Sequence, residues 1–141
     1  MNISFFLKPK SEVFYLFDDC SVEQAIMEML QNSFTAIPLI DRHGHFIGTI
    51  CEGDLLSIVM KRSPDKLNMP VGDVPRRFLH RSVCIDAHME DMVCLIIDQN
   101  FVPVTDDRGM FIGIITRHDV IQYINYPSLK GNVLENKLIV D

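Results

Sequence analysis

The chain contains one 17-residue stretch twice: residues 38–54 read PLIDRHGHFIGTICEGD, and residues 103–119 read PVTDDRGMFIGIITRHD. At an offset of 65 residues the two stretches share eight identical residues, whereas unrelated segments of this length share about one or two. The 141-residue chain is therefore an internal duplication. A copy of about 60 residues is marginal as an independent fold, so we expect the two copies to share an interface.

Together with the residues that precede these stretches, each copy has the element order β-α-β-β-α, which predicts a mixed α/β (α+β) fold. The first copy is expected to contain strands at 13–16, 36–40 and 46–51, a helix from the cap Ser21 to Asn32, and a helix at 52–62. The second is expected to contain strands at 83–85, 101–105 and 111–116, a helix capped by Asp86, and a last helix that Pro127 stops after Tyr126. The predicted division is a first repeat at 1–62, a solvated connector at 63–80, a second repeat at 81–126 and a tail at 127–141.

Composition and charge exclude several classes of protein. The net charge of −6 and the 23% of charged residues argue against a nucleic-acid coat, which needs clustered positive charge. No apolar run reaches the roughly 18 residues that span a bilayer, and the first ten residues do not resemble a signal peptide. Four cysteines without framework spacing predict reduced thiols. We therefore expect a cytoplasmic protein with no nucleic-acid or membrane partner.

The residues with the most distinctive chemistry are Thr116, Arg117 and Asp119, where an apolar strand meets a helix. A helix N-terminus favours anions, an arginine suits phosphate, and a carboxylate can accept two hydrogen bonds from a ribose diol. Thr-x-x-Asp is also close to an ordinary helix capping box. A cap does not require the glycine that precedes the aspartate by six residues in both copies, and this recurrence favours a nucleotide site.

These motifs resemble those of the cystathionine-β-synthase (CBS) domain family in its tandem arrangement, the Bateman module. The matching residues are 35–41 with Gly48 and Asp54, and 101–106 with Gly113, Thr116 and Asp119. The resemblance covers residues 8 to 126, and the run 6–13 resembles small stand-alone CBS-pair proteins of Gram-positive bacteria. It implies two repeats packed as a pseudo-twofold pair, with two clefts that bind adenine nucleotides and a homodimer formed through the helices.

The resemblance also implies which residues form each cleft. One cleft would combine Val13, Phe14, Thr35, Ala36, Ile37 and Pro38 with Thr116, Arg117, His118 and Asp119. The other, weaker cleft would combine Cys84, Phe101, Val102 and Pro103 with Cys51, Glu52 and Asp54. In the weaker cleft Cys51 replaces the hydroxyl, and Glu52 would repel a phosphate where Arg117 would attract one. We therefore predict one competent nucleotide site per chain, with Asp54 still able to hold the ribose of an uncharged adenosine.

Other constellations are better explained structurally. His43 and His45 flank a hairpin glycine without a third ligand, so we predict no metal site. The cluster Arg76, Arg77, His80 and Arg81 is expected to be solvated, a phosphate or partner contact being the alternative. No cysteine–histidine spacing indicates a nucleophile.

The predicted function is a non-catalytic regulatory module, with no cofactor, that binds AMP, ADP, ATP or cyclic di-AMP and signals to an unknown effector protein in trans. S-adenosylmethionine is less favoured, because Arg117 would meet a positively charged ligand. The alternative is a structural or interaction module with vestigial clefts and no nucleotide-dependent output.

Overall fold

The computed structural model describes residues 2–61 and 64–125, and the tail predicted at 127–141, with Tyr126 and Pro127, lies outside them. The strands are β1 (Lys8–Pro9), β2 (Leu16–Phe17), β3 (Ala36–Ile40), β4 (Phe46–Cys51), β5 (Val83–Cys84), β6 (Phe101–Thr105) and β7 (Phe111–Thr116). The helices are α1 (Val22–Asn32), α2 (Glu52–Met60), α3 (Pro64–Leu67), α4 (Met89–Ile96) and α5 (Arg117–Asn125). Short 3₁₀ turns lie at Ile3–Phe6, Lys10–Glu12 and Val71–Asp73. The mixed α/β fold and the β-α-β-β-α order of both copies are confirmed.

The described residues divide into two compact units, one within 14–80 and the other within 1–13 and 81–141. In the unit of the first copy the strand order is β2-β3-β4, with β2 parallel and β4 antiparallel to β3. In the other unit the order is β1-β7-β6-β5, with β5 parallel to β6 and the remaining pairs antiparallel. Each sheet buries one apolar core against the helices of its own unit.

The two hairpins show how closely the copies repeat each other. Asp41 Oδ1 accepts hydrogen bonds of 2.9 Å from the backbone N–H groups of His43 and His45. Asp106 Oδ1 accepts the same two bonds, also at 2.9 Å, from the residues two and four positions later. Gly44 and Gly109 follow with φ angles of 96° and 81°, which glycine adopts without the steric cost that a Cβ atom brings. The repeated Asp-x-x-Gly is therefore a turn motif.

Two local predictions are wrong, and both concern where an element begins. The strand predicted at 13–16 is at Leu16–Phe17, because the backbone N–H of Val13 closes a 3₁₀ turn on the Lys10 carbonyl. The helix predicted to be capped by Asp86 begins at Met89, with His88 as its cap, because a turn from Cys84 to Ala87 comes first. The predicted ends 62 and 85 also differ, since α2 ends at Met60 and β5 at Cys84.

The segment before residue 14 lies with the second copy, not with the first as expected. Pro9 in β1 pairs with Gly113 in β7. The rings of Phe5, Phe6 and Tyr123 form edge-to-face contacts with centroids 5.0–5.3 Å apart. The N-terminal segment therefore completes both the sheet and the helix packing of the second copy.

The expected solvated connector is instead an integral part of the first unit. Val71 and Val74 are buried in the core of the first copy. The Val71 backbone N–H donates to the Cys20 carbonyl at 2.7 Å, and the Val22 N–H donates to the Met69 carbonyl at 3.0 Å. These bonds hold the connector against the start of α1.

Candidate functional site

The two copies place their motif residues in matching positions. Ala36 lies opposite Cys51 in the β3–β4 ladder, and Phe101 lies opposite Thr116 in the β6–β7 ladder. The backbone N–H of Glu52 donates to the Thr35 carbonyl at 3.0 Å, and the N–H of Arg117 makes the equivalent bond to Asn100 at 2.8 Å. Each copy therefore holds the first turn of its last helix beside the start of its first hairpin strand.

In the second copy the half-site is formed by Thr116, His118 and Asp119 at the start of α5. Thr116 Oγ1 accepts a hydrogen bond of 3.2 Å from the Asp119 backbone N–H, so the threonine caps the helix. The side chain of His118 is exposed. Asp119 is only 9% exposed, and its carboxylate accepts no hydrogen bond from the described residues.

The guanidinium of Arg117, the cation predicted to bind phosphate, donates to groups within its own unit. Its Nε donates to the Ile96 carbonyl at 2.8 Å and its Nη2 to the Ile97 carbonyl at 3.1 Å. Its Nη1 donates to Asn100 Oδ1 at 3.0 Å. The guanidinium is thus bound to the last carbonyls of α4, where a cation also complements the helix dipole. Arg117 therefore stabilises the end of α4, and its contact with a phosphate stays a prediction.

In the first copy the equivalent half-site is closed by hydrogen bonds within its own unit. Asp54 is 2% exposed. Its Oδ2 accepts the Cys51 backbone N–H at 2.9 Å, which completes a capping box, and its Oδ1 accepts the Arg77 backbone N–H at 2.9 Å. Each oxygen of the Asp54 carboxylate thus already accepts one backbone N–H, which leaves fewer lone pairs for a ribose than at a carboxylate without partners.

Cys51 and His80 meet beside this carboxylate, with Cys51 Sγ 3.9 Å from His80 Nε2. Burial, together with the negative charges of Asp54 and Glu52, raises the pKa of the Cys51 thiol to about 11. Burial also lowers the pKa of His80. The pair is thus a neutral thiol beside a neutral imidazole, and a thiol in this state is a poor nucleophile.

The other residues predicted for the clefts lie in the strands and in the segments that lead into them. Phe14 stacks on Phe34, with ring centroids 5.2 Å apart and planes inclined by 30°. Ile37, Pro38, Val102 and Pro103 are buried, Thr35 is exposed, and Val13, Ala36, Cys84 and Phe101 are partly buried. Each predicted cleft draws its residues from both units.

Gln99 is a structural residue that the sequence patterns did not indicate. It is 2% exposed, accepts the Arg81 N–H at 2.8 Å, and donates to the carbonyls of Arg81 and Phe101 at 3.0 and 3.2 Å. It holds the start of the second repeat against β6. A glutamine at the end of a helix is not distinctive, so no signal in one sequence identifies it.

Comparisons with known proteins agree with this architecture. The CBS domain family profile matches residues 6–61 and 71–126. Two curated relatives are the A-adding tRNA nucleotidyltransferase of Aquifex aeolicus (26% identical over 111 residues, 79% of this chain) and the chloroplastic CBS domain-containing protein CBSX2 of Arabidopsis thaliana (24% over 147 residues, 83% of this chain). The matches span only 13% and 60% of the lengths of those relatives.

Solved structures share the fold. CbpB, crystallised in complex with c-di-AMP, superimposes with a TM-score of 0.80 at 22% identity, covering 96% of this chain and 91% of that one. CBSX2 in complex with AMP gives 0.72 at 23% identity, covering 90% and 98%. A CBS domain protein from Streptococcus pneumoniae gives 0.78 at 24%, covering 89% and 87%. With the family profile matched twice and the β-α-β-β-α order present in both copies, the chain belongs to the CBS domain family as a tandem pair of CBS domains.

Proposed function

We propose that this chain is a non-catalytic regulatory module that binds an adenine nucleotide with Thr116 and Asp119 of the second CBS domain. The observation that carries the proposal is the difference between two equivalent carboxylates. Both oxygens of Asp54 accept backbone N–H groups, whereas the Asp119 carboxylate accepts none from the described residues. A ribose diol supplies two donors of the kind that this carboxylate lacks.

The adenine side of the site is proposed from the family resemblance. Val13, Phe14, Thr35, Ala36, Ile37 and Pro38 are the residues assigned to it. The stacked pair of Phe14 and Phe34 supports the assignment, because it keeps an aromatic surface next to β3. The complexes of CbpB with c-di-AMP and of CBSX2 with AMP support an adenine nucleotide as the ligand.

Since the Arg117 guanidinium is bound to α4, the phosphate is assigned to other donors. The Thr116 hydroxyl and the exposed His118 imidazole are the remaining side-chain groups at this helix start. One neutral hydroxyl and one histidine do not select among AMP, ADP, ATP and cyclic di-AMP. The ligand is therefore proposed as a class.

A thermal-shift panel with these four nucleotides, followed by calorimetry, tests the proposal. A ligand at 100 times its Kd adds about 2.7 kcal/mol to the free energy of unfolding, which is a shift of several degrees. Asp119→Ala and Thr116→Ala should abolish or weaken binding, whereas Cys51→Ala, the equivalent of Thr116→Ala in the first copy, should leave the affinity unchanged. Undiminished binding to Asp119→Ala would refute the assignment.

The second candidate function is an interaction module without nucleotide-dependent output. The closed Asp54 half-site favours it for the first copy, since one of the two family sites is already filled by the protein. The same panel separates the candidates, because an interaction module is stabilised by none of the nucleotides.

We also propose a cytoplasmic homodimer that a separate effector protein recognises. Support comes from apolar side chains that both copies expose at equivalent helix positions: Leu56 and Ile121 are 60% and 45% exposed, and Val59 and Ile124 are 46% and 61% exposed. A groove of 390 Å³ also runs between α1 and α2. Among the described residues, no helix has the length and apolarity needed to cross a membrane. Sedimentation of Leu56→Lys should show a monomer if the helices form the dimer, and an unchanged dimer would contradict this.

A further inference from the structure

The connector contacts Gly48, Cys51, Gly53 and Asp54 of the first CBS domain. A Cβ atom placed on Gly48 would lie 3.6 Å from the Arg76 guanidinium, and one placed on Gly53 would lie 2.9 Å from Arg77 Nη1. The two arginines therefore lie against the two glycines of the stretch Gly48-x-x-x-x-Gly53, and their side chains occupy the space that a larger residue would take.

The remaining motif positions are covered by the same segment. The Arg77 backbone N–H donates to Asp54 Oδ1 at 2.9 Å, and His80 Nε2 lies 3.9 Å from Cys51 Sγ. At Asp54 a backbone amide thus stands where the family resemblance would place a hydroxyl of ribose. No such contacts are made to Thr116 or to the Asp119 carboxylate by the described residues.

The connector holds this position at a cost in free energy. Nε and Nη2 of the partly buried Arg76 are buried atoms without a hydrogen-bond partner among the described residues. Buried polar atoms without partners are destabilising. The contacts around Asp54 must therefore offset an unfavourable term within the same few residues.

We propose that Arg76, Arg77 and His80 form a strap that occupies the Asp54 half-site, so that this half-site binds no nucleotide. The contacts that keep it closed offset the destabilising effect of the unpaired Arg76 nitrogens. The closed half-site follows from contacts within one unit and is independent of nucleotide binding. The consequence for stoichiometry, one nucleotide per chain even for an uncharged ligand, rests on the proposed function. A repulsive Glu52 alone would exclude phosphates but not adenosine.

Amide hydrogen exchange tests the strap without any nucleotide. The Arg77 amide of the unmodified protein should exchange about a hundredfold more slowly than in an unstructured peptide, because its N–H is bonded to a buried carboxylate. Asp54→Ala should raise its exchange rate at least tenfold, and the matched Asp119→Ala should leave it unchanged. An Arg77 amide that exchanges at the unprotected rate in the unmodified protein would overturn the proposal, whether or not Asp54→Ala folds.

Arg76→Met tests whether the unpaired Arg76 nitrogens destabilise the closed strap. The methionine keeps an apolar stem over Gly48 and removes the unpaired buried nitrogens, so exchange at Arg77 should slow by about tenfold. Faster exchange at Arg77 would contradict this part of the proposal, because it would mean that the Arg76 guanidinium stabilises the closed strap.

Calorimetry with adenosine and with AMP tests the stoichiometry. One adenosine and one AMP per chain are expected, and both should be lost in Asp119→Ala. Two adenosines per chain would overturn the strap as a barrier to ligand. No binding of either compound would refute the proposed function instead, and the exchange measurement would then decide the strap by itself.

Discussion

Replacing Arg117 with methionine separates a structural role from a role in phosphate binding. Methionine keeps the aliphatic part of the side chain and removes the bonds from Nε, Nη1 and Nη2 to the Ile96 carbonyl, Asn100 Oδ1 and the Ile97 carbonyl. The variant therefore removes the contacts to the end of α4 and changes little else in the packing.

The size of the effect follows from the exposure of these bonds. A hydrogen bond to a charged group contributes about 1.5–3 kcal/mol when it is buried and much less when solvent screens it. The Nε bond is part-buried and the other two are exposed, so we count about 1.5 kcal/mol for the first and about 0.5 kcal/mol for each of the others. The loss of roughly 2–3 kcal/mol corresponds to a fall in Tm of about 10 °C for a chain of this size.

Urea unfolding and thermal scans measure the stability, and calorimetry measures the affinities for AMP and adenosine. We expect Arg117→Met to lower the free energy of unfolding while the ratio of the two affinities stays the same, because the guanidinium does not serve the phosphate. Glu52→Gln is the matched control at the equivalent position, and its stability should change by less than about 0.5 kcal/mol. An unchanged Tm together with a tenfold loss of AMP affinity, but not of adenosine affinity, would refute the reasoning.

Three further predictions concern acid stability, thiol reactivity and backbone packing. Burial lowers the pKa of His80 below 6.5, so the unfolded state binds more protons than the folded state, and the free energy of unfolding should fall as the pH drops from 6.5 through the folded-state pKa. Urea unfolding of His80→Gln should show a smaller fall in stability over this pH range, and a pH profile identical to that of the unmodified protein would contradict the prediction. Cys51, with its pKa of about 11, should be alkylated by iodoacetamide at neutral pH at least tenfold more slowly than the exposed Cys94. Equal alkylation rates of the two cysteines in mass spectrometry would contradict this prediction. Gly113→Ala should destabilise the protein by about 3 kcal/mol because its Cβ would overlap the backbone of β1, whereas Gly48→Ala meets the connector guanidinium at an ordinary 3.6 Å and should be tolerated in the same thermal scan; equal effects would show that β1 does not constrain this position.

The elements with strong local signals were predictable from the sequence. The hairpin strands β3, β4, β6 and β7 have the predicted bounds, because apolar runs flanked by Asp-x-x-Gly turns specify both ends. Helix α1 also has its predicted bounds, with Ser21 Oγ accepting the Gln24 N–H at 3.1 Å. The spacing Ser21-x-x-Gln24 also predicts a capping box, but only its Ser21 half is present, since the Gln24 side chain donates to Glu28 Oε1.

The contacts that decide the site were not predictable, because each joins residues that are far apart in sequence. The Arg117 guanidinium reaches carbonyls 20 and 21 residues earlier, and Asp54 accepts an amide 23 residues later. A motif defines residue types and spacing, but the orientation of a long side chain depends on which backbone groups the packed fold leaves without partners. The sequence indicated Arg117 as a phosphate ligand because a guanidinium at a strand–helix junction suits an anion. In the fold, the last carbonyls of α4 accept its N–H groups.

Duplication supplied two chemically similar helix starts, and the fold uses them differently. In both copies an aspartate occupies the third position of the last helix, where a carboxylate can complete a capping box or hold a ligand. Asp54 does the first, because Cys51 and the connector amide of Arg77 give it two donors, and this ties the connector into the core of its own unit. Asp119 has a capping threonine but no donor to its carboxylate from the described residues. Donors that already occupy a carboxylate leave fewer lone pairs for a ligand, so we infer that the hydrogen bonds which stabilise the fold at Asp54 weaken ligand binding at that position. Asp54→Ala should therefore lower the free energy of unfolding without changing the nucleotide affinity. Asp119→Ala should lower the nucleotide affinity without changing the free energy of unfolding.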